Sequence, residues 1–224
     1  MQQNKTRGGD MLEKLKLEVI DAGKKLKEYK LITLTGGNVS GRDLETGYIV
    51  MTPSGMEYDI LTPDDITVTD LDGNIIEGKR KPSSDLKTHL QIYRAKKEIN
   101  GIIHTHSTFA SCFAVLKEDI PVISTTMANE VGGRVPLSKY APVGSDELGE
   151  HIIEKIGDQK AVLLESHGVF TYGENVAHAL TAAVMLEDSA KVYYLTRTIG
   201  KPEELPEEEI RRANELFKNV YGQK

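Results

Sequence analysis

The chain has 224 residues, of which 39% are hydrophobic and 28% charged, and its formal net charge at pH 7 is −6. These values are typical of a globular protein, and the acidic balance argues against a nucleic-acid groove or a surface for anionic membranes. The single cysteine, Cys112, excludes an intrachain disulfide and favours a reducing compartment. No apolar run reaches the length of a membrane span, and the first residues lack the apolar centre of a signal peptide. We therefore expect a cytoplasmic protein with neither a nucleic-acid nor a membrane partner.

The chain contains neither a Pro/Gly/Ser-rich linker nor an internal repeat, which indicates one domain. We place this domain at residues 11–224, after a polar tail at residues 1–10 that we expect to be flexible. The first predicted element is an amphipathic helix, because apolar residues recur at three- and four-residue spacing between Leu12 and Tyr29.

The later elements are predicted from hydrophobic periodicity and from turn and capping residues. They are strands at residues 47–55 and 65–78, a helix at 83–98, a strand at 101–106, a helix at 107–117, a strand at 120–125, a helix at 145–157, an apolar strand within 161–173, and helices at 174–199 and 206–217. In the helix at 83–98, Ser83 or Ser84 is the expected N-cap and Asp85 lies in the first turn. Because several strands lie in hairpins, we predict an α/β fold: a single-domain α/β/α sandwich with a central, mainly antiparallel sheet flanked by helices.

Two histidines stand one residue apart at the end of an apolar strand, in "GIIHTH". Residues two apart on a strand point the same way, so His104 and His106 share a face, either as metal ligands or as ordinary polar residues at a strand end. His167 also ends an apolar run. Three neutral imidazoles around one Zn²⁺, with an open position for substrate, form a catalytic metal pattern. Asp85 could supply a fourth ligand, a base, or both by turns.

Three short segments have the composition of anion-binding turns. "TGGNVS" offers small residues, main-chain N–H groups and an amide, "TPSG" offers a hydroxyl and a glycine N–H, and "PSSD" places two hydroxyls at a helix start. Each segment alone is more often an ordinary turn. Three of them in one chain with three strand-end histidines predict a site for a phosphorylated ligand beside a metal.

From about Leu12 to Tyr221, the sequence resembles the class II aldolase/adducin family. "TGGNVS", "TPSG", "PSSD", "HTH", "SHG" and the terminal "YGQ" carry the resemblance, in the family's order. It implies that the domain is a class II aldolase-like catalytic domain with a zinc site of His104, His106 and His167, to which Asp85 is added as ligand and catalytic carboxylate. It implies a phosphate pocket formed by Gly37, Asn38, Ser54, Gly55, Ser83 and Ser84. It also implies a cyclic homotetramer with active sites between subunits and a second catalytic residue, Tyr221, in the tail.

The resemblance implies a zinc-dependent aldolase that cleaves a ketose phosphate, similar to L-fuculose 1-phosphate, to dihydroxyacetone phosphate and an aldehyde. Zinc, or another divalent metal, would act as a Lewis acid on the enediolate left when the C–C bond breaks. Asp85 would move the proton to and from that enediolate. The alternatives are an L-ribulose-5-phosphate 4-epimerase using the same chemistry, and a non-catalytic adducin-like scaffold.

The segment 124–131 departs from both enzyme patterns. "SSD" is the spelling of the epimerases, whereas the aldolases have Glu at the position of Asp85. In "TTMANEVGG", however, Met127 and Asn129 stand where the epimerases have a histidine and an acidic residue, and an amide cannot exchange the proton. Thr126 replaces a tyrosine of the aldolases. We predict an aldolase, because bond cleavage needs fewer catalytic groups than stereospecific re-addition. The sequence does not determine which sugar phosphate is the substrate.

Overall fold

The computed structural model describes residues 2–220, with side chains from Leu12 onward except at positions 218 and 220. Its strands are β1 Asn38–Arg42, β2 Ile49–Met51, β3 Thr67–Thr69, β4 Ile75–Glu77, β5 Gly101–Thr105, β6 Leu137–Ser138, β7 Ala161–Leu164 and β8 Gly168–Gly173. Its helices are α1 Gln2–Glu28, α2 Leu86–Ala95, α3 Thr108–Leu116, α4 Thr125–Glu130, α5 Asp146–Ile156, α6 Val176–Ile199 and α7 Glu207–Val220. None of these helices is long and apolar enough to cross a membrane.

The strands of the described residues form one eight-stranded sheet in the order β4-β3-β2-β1-β5-β8-β7-β6. Every pairing is antiparallel except that of β6 with β7. The prediction of a mainly antiparallel sheet is therefore confirmed. The order places β5, which carries His104 and is followed by His106, between β1 and β8 at the middle of the sheet.

Helices cover both faces of the central strands, and successive side chains of a strand point alternately into one helical layer and the other. On β5, Ile102 belongs to an apolar cluster with α2 and α5, whereas Ile103 belongs to a cluster with α1 and α6. On β7, Val162 faces the α2/α5 layer and Leu163 faces a third cluster built with α3, α4, α6 and α7. Each of these side chains is fully buried, which is worth roughly 1.5–3 kcal/mol for such residues. The predicted α/β/α sandwich is confirmed.

The strand predicted at residues 120–125 is absent. Ile120 makes a single bridge with Val135, and the chain then enters α4, whose N-cap Ser124 accepts a hydrogen bond from the Met127 amide at 3.3 Å. Pro121 explains the difference, because it has no N–H to donate to a neighbouring strand.

The apolar segment 161–173 forms two strands rather than one. β7 ends at Leu164, the chain turns through residues 165–167, and β8 runs back against β7, pairing Gly168 with Leu164. Ser166 has a φ of 59° in this turn, and the His167 amide donates to the Leu164 carbonyl at 3.0 Å. His167 therefore lies in a turn and not at a strand end.

The first helix begins earlier than its apolar pattern. α1 starts at Gln2, whereas the periodic apolar residues start at Leu12. Gly8 and Gly9 hide this start in the sequence, since glycine costs about 1 kcal/mol relative to alanine inside a helix. The flexibility of residues 1–10 and a domain boundary at residue 11 stay predictions.

Candidate active site

Three histidines meet at one end of the central strands. Residues two apart share a face of β5, so His104 lies with Ile102 on the α2/α5 side, and His106 follows the strand by one residue. β8 is the neighbour of β5, which brings the preceding turn and His167 beside the pair. The Nε2 atom of His106 lies 3.0 Å from that of His104 and 3.1 Å from that of His167.

The proton positions leave these nitrogens free to bind a cation. The Nδ1 atom of His104 donates to the Val169 carbonyl at 3.0 Å, so in the neutral ring Nε2 carries a lone pair. Burial lowers the pKa of His104 well below its usual value, and the nearby His167 and His106 lower it further. Burial also lowers the pKa values of His106 and His167. All three rings are therefore neutral at pH 7.

This donor set fits a divalent metal ion. Three neutral imidazole nitrogens with one hydrogen-bonded to a backbone carbonyl are the ligands and the supporting contact that zinc and similar ions take. Within the described residues, the three histidines form the group that can hold a metal ion. His104 is buried while His106 is exposed, so the group opens to solvent on one side. A ligand can therefore reach the metal position.

Two glycines let the backbone close around the histidines. A Cβ atom on Gly37, which has a φ of +75°, would lie 2.5 Å from the His104 carbonyl oxygen. A Cβ atom on Gly168 would lie 2.4 Å from the Thr105 carbonyl oxygen and 2.9 Å from Cδ2 of His106. Any side chain at either position would displace a strand that carries a histidine.

Asp85 is buried at the start of α2 and has one free oxygen. It is itself the N-cap of α2, a position predicted for Ser83 or Ser84, and its amide donates to the Ser83 hydroxyl at 3.3 Å. Its Oδ2 accepts a hydrogen bond from Nδ2 of Asn38 at 2.7 Å, whereas Oδ1 is buried without a partner. Asp85 is not in the compact group of histidines. Its negative charge nevertheless offsets part of the lowering that burial causes in the pKa values of His106 and His167. A carboxylate therefore faces the metal position.

The three predicted phosphate-binding segments come together beside Asp85. The Ser83 amide donates to the Thr52 carbonyl at 3.1 Å, and Pro53 bridges to Pro82, which places "TPSG" against "PSSD". "TGGNVS" joins them because the Val39 amide donates to Oγ1 of Thr52 at 3.2 Å. Of the predicted phosphate ligands, Ser54, Gly55 and Ser84 are exposed, Asn38 and Ser83 are buried, and Gly37 is intermediate. The structure thus gathers residues that are up to 47 positions apart in sequence.

The contact from Asn38 to Asp85 was missed by sequence reasoning, which assigned Asn38 to phosphate alone. Asn38 begins β1 and pairs with His104 across the β1–β5 ladder, which puts its amide on the α2 side. The Gly36-Gly37 pair obscured β1 in the sequence. The signal in the sequence is that Asn38 directly follows Gly37, because glycine permits the positive φ that this chain adopts just before β1.

Of the other predicted features, Tyr221 falls outside the described residues, whereas the segment 124–131 lies away from this group. In the segment 124–131, Met127 is fully buried in the cluster formed with α3, α6 and α7. The Asn214 side chain on α7 donates to the carbonyl oxygens of Ala128 and Asn129 at 3.1 and 2.9 Å. This segment is thus packed into the second helical layer, on the opposite side of the sheet from α2.

An α/β/α sandwich in which three histidines converge beside a buried carboxylate is the arrangement of a metal-dependent enzyme. Residues 17–194 match the family model described as "Class II Aldolase and Adducin N-terminal domain". The chain therefore belongs to the class II aldolase and adducin family. It is a class II aldolase, a carbon–carbon lyase, and enzymes of this class depend on a metal ion.

Relatives with assigned activities cover almost the whole chain. A 5-deoxy-D-ribulose 1-phosphate aldolase of Bacillus thuringiensis serovar kurstaki is 38% identical over 213 residues, which are 95% of this chain and 99% of that protein. The solved structure of an L-fuculose 1-phosphate aldolase is 37% identical, with a TM-score of 0.88, over 92% of this chain and 96% of that one. An L-fuculose-1-phosphate aldolase from Thermus thermophilus is 25% identical, with a TM-score of 0.72, over 84% and 98% of the two chains.

Proposed function

We propose that this protein is a zinc-dependent aldolase that cleaves a ketose 1-phosphate to dihydroxyacetone phosphate and a short aldehyde. The observation that carries the proposal is the convergence of three neutral imidazole nitrogens, 3.0 and 3.1 Å apart, beside a buried carboxylate with an unpaired oxygen. A scaffold domain does not need three imidazole nitrogens that converge on one point.

His104, His106 and His167 would hold the metal ion, and Asp85 is a chemically suitable fourth ligand. A bound divalent metal supplies a Lewis acid for the negative charge that develops on the substrate's carbonyl and neighbouring hydroxyl oxygens. Zinc fits three imidazole ligands and an open position best, although another divalent metal can take the same ligands.

The substrate phosphate would lie among the three turns beside Asp85. Its ligands in this proposal are Gly37, Asn38, Ser54, Gly55, Ser83 and Ser84. Their hydroxyl, amide and main-chain N–H groups donate hydrogen bonds to phosphate oxygens, and the start of α2 adds the positive end of a helix dipole. The open space above Gly55, where a Cβ atom would meet nothing within 4 Å, supports this placement.

The proposed reaction breaks the bond between C3 and C4 of the ketose. The C4 hydroxyl loses its proton as C4 becomes the aldehyde carbon, and the electron pair of the broken bond stays on C3. A proton is then added at C3, so substrate and products contain the same atoms. We assign the delivery of this proton to the carboxyl group of Asp85, and Tyr221 assists from the C-terminal tail.

The named relatives support a deoxyketose 1-phosphate as the substrate. Cleavage of 5-deoxy-D-ribulose 1-phosphate gives dihydroxyacetone phosphate and acetaldehyde, and cleavage of L-fuculose 1-phosphate gives dihydroxyacetone phosphate and lactaldehyde. Both aldehydes are small and end in a methyl group, so they place the same demands on the phosphate and metal positions. We also propose that the enzyme works in the cytoplasm as a homotetramer.

A sugar-phosphate 4-epimerase is the second candidate, favoured by one observation: the carboxylate after the two serines is Asp85 and not glutamate. Against it, Met127 replaces a histidine of the epimerases and is fully buried. Asn129 replaces the acidic residue that re-addition on the other face needs.

The test incubates the zinc-loaded protein with 5-deoxy-D-ribulose 1-phosphate, L-fuculose 1-phosphate and L-ribulose 5-phosphate. Release of dihydroxyacetone phosphate is measured separately from inversion at C4. We expect release from at least one ketose 1-phosphate, and no release from the His106→Ala variant, which should also lose most of its zinc. Inversion of L-ribulose 5-phosphate without release of dihydroxyacetone phosphate would favour the epimerase. If the protein showed neither release nor inversion, both proposals would be refuted.

A further inference from the structure

A chain of buried hydrogen bonds lies directly behind Asp85. His89 is one helical turn after Asp85 on α2 and is fully buried. Its Nδ1 atom lies 2.7 Å from the Ser40 hydroxyl, which lies 2.8 Å from the hydroxyl of Tyr93. The ring of His89 packs edge-on against Phe170, with centroids 5.2 Å apart, and Phe170 stacks on His104 at 4.8 Å. This ring is therefore fixed between the base and a metal ligand.

Three polar atoms in this region are buried without partners: Oδ1 of Asn38, Oδ1 of Asp85 and Nε2 of His89. Buried polar atoms are nearly always paired, so each needs an explanation. The orientation of the Asn38 amide is set, because its nitrogen must face the carboxylate that accepts from it. Two of the three atoms are then acceptors only, and His89 is the member of this set that can donate.

The position of the proton on His89 follows from its neighbours. The ring of His89 is fully buried, and in its neutral form one of its two nitrogens carries the proton. If Nδ1 held it, the Tyr93 hydroxyl would only accept from Ser40, and the lone pair of Nε2 would face the Asp85 charge. If Nε2 holds it, Tyr93 donates to Ser40, Ser40 donates to Nδ1, and each hydroxyl proton is used. The second arrangement gives both hydroxyl protons an acceptor and gives Nε2 a proton to donate.

We propose that His89 is a positioning residue for the catalytic carboxylate: its Nε2 donates to one enclosed water, which donates to Oδ1 of Asp85. Asn38 holds Oδ2 from the other side, so the carboxylate cannot rotate, and its remaining lone pairs face the reacting carbon. The expected effect of His89 on turnover rests on the proposed function, whereas the hydrogen bond itself does not.

The hydrogen bond is tested by ¹⁵N NMR of the zinc-loaded protein labelled at histidine, with the His89 signals assigned by their loss in His89→Gln. We expect Nε2 of His89 to be protonated and Nδ1 to be unprotonated. Asp85→Asn should shift the Nε2 signal, because it changes the acceptor of the enclosed water's hydrogen bond. Asp146→Asn is the matched control. Asp146 is exposed and pairs with Lys87, which lies on the same helix as His89. This substitution should leave the Nε2 signal of His89 unchanged. A proton on Nδ1, or an Nε2 signal indifferent to Asp85→Asn, overturns the proposal.

The kinetic consequence is tested with two substitutions at His89 on the ketose 1-phosphate that the wild type cleaves. His89→Leu keeps the volume but removes the donor, and we expect kcat to fall about 10- to 100-fold, as for other partners that orient site groups. KM should stay within about twofold, because neither metal nor phosphate ligands change. His89→Gln places an amide donor near the position of Nε2 and should recover most of the lost kcat.

Ile92→Val separates positioning from stability. Ile92 is fully buried on the same helix and in the same apolar cluster, and it makes no polar contact with Asp85. Its loss of one methylene should lower the unfolding midpoint and leave kcat unchanged. Wild-type kcat in His89→Leu, or an equal loss in His89→Gln, overturns the positioning role. Absence of any wild-type turnover would instead count against the proposed function, while the NMR result still decides the hydrogen bond.

Discussion

The amide of Asn38 is turned toward Asp85, although its motif predicted a phosphate ligand. One of its two N–H groups is used by Oδ2 of Asp85, which leaves the other for a substrate oxygen. The same residue would therefore connect the proposed phosphate position to the proposed base. A single side chain in this role affects both binding and turnover when it is removed.

For Asn38→Ala, we expect KM for the ketose 1-phosphate to rise several-fold, because a hydrogen bond to phosphate is lost. The kcat value should fall as well, because Oδ2 of Asp85 loses its donor; the loss of a hydrogen bond to a charged group costs about 1.5–3 kcal/mol. Steady-state kinetics beside Asn74→Ala, an exposed turn residue, measures both effects. Unchanged kinetics would rule out the assignment.

Replacing Asp85 by asparagine removes the proton-transferring group while keeping nearly the same shape. General acid–base help is typically worth ~10²–10⁴ in rate, so kcat of Asp85→Asn should fall by about that factor. Zinc analysis should show full occupancy, because the three histidines remain. Wild-type turnover in this variant would contradict the proposed mechanism.

His89 also predicts how stability depends on pH. Its pKa is about 3 in the folded chain and near 6.5 when unfolded, because burial disfavours the charged ring. The unfolded chain therefore binds more protons below pH 6.5, and stability falls as the pH drops toward 3, by up to about 1.4 kcal/mol per pH unit for this group. His104 acts in the same direction. Urea unfolding of the metal-free protein between pH 7 and 5 should show a shallower loss for His89→Gln; equal slopes would contradict the prediction.

At the scale of elements, the site depends on the contact between β5 and β8. The chain after His106 is also fixed: the first amides of α3, at Phe109 and Ala110, donate to the Glu187 carboxylate on α6 at 2.8 and 2.9 Å. A carboxylate at a helix N-terminus is favourable because it satisfies free amides and complements the helix dipole. The histidine pair is thereby held between a central strand and an anchored helix.

Gly168→Ala should disturb this contact. The added Cβ atom would meet the Thr105 carbonyl oxygen at 2.4 Å and His106 at 2.9 Å, so β5 or β8 must shift. Overpacking of this kind typically costs 1–3 kcal/mol, so we expect the free energy of unfolding to fall by about that amount. Zinc affinity should also fall, as measured by competition with a chelator. Gly200→Ala is the control, because nothing lies within 4 Å of its Cβ position; equal zinc affinity in both variants would contradict the prediction.

Elements with a continuous local pattern were predicted well, and those that depend on distant pairing were not. β5 and α5 follow from an apolar run and from capping at Ser145, where the hydroxyl accepts from the Leu148 amide at 3.4 Å. The strand at 120–125 and the single strand within 161–173 were wrong, because one contains a proline and the other reverses at Ser166. The positions of His104 and His106 at the end of β5 could be predicted, whereas the turn that holds His167 and the contact of Asp85 with Asn38 could not, because both depend on the pairing of strands.

At the scale of the whole molecule, the sandwich leaves apolar surface on one side. Tyr194, Leu195 and Ile199 near the end of α6 are exposed, and a groove of about 700 Å³ lies between α3 and α6. Exposed apolar patches of this kind mark interaction surfaces. They support the proposed homotetramer, whose main basis is the family resemblance.

The tetramer prediction is tested by light scattering of the purified protein. We expect a mass close to four times the 24.8 kDa of one chain. A monomer at the concentration used for activity measurements would refute it. Removal of residues 221–224 should lower turnover but leave this mass and the fold intact, since chain ends contribute little to a core.

The pairing of β5 with β8 also determines the order of events during synthesis. His104 and His106 are translated early, but their third partner appears only at position 167 of 224. A growing chain on the ribosome therefore presents two imidazoles without the third, and two ligands retain a metal ion less firmly than three. The three-histidine site is thus complete only after seven of the eight strands have been synthesised, and an ion bound by all three imidazoles is acquired late.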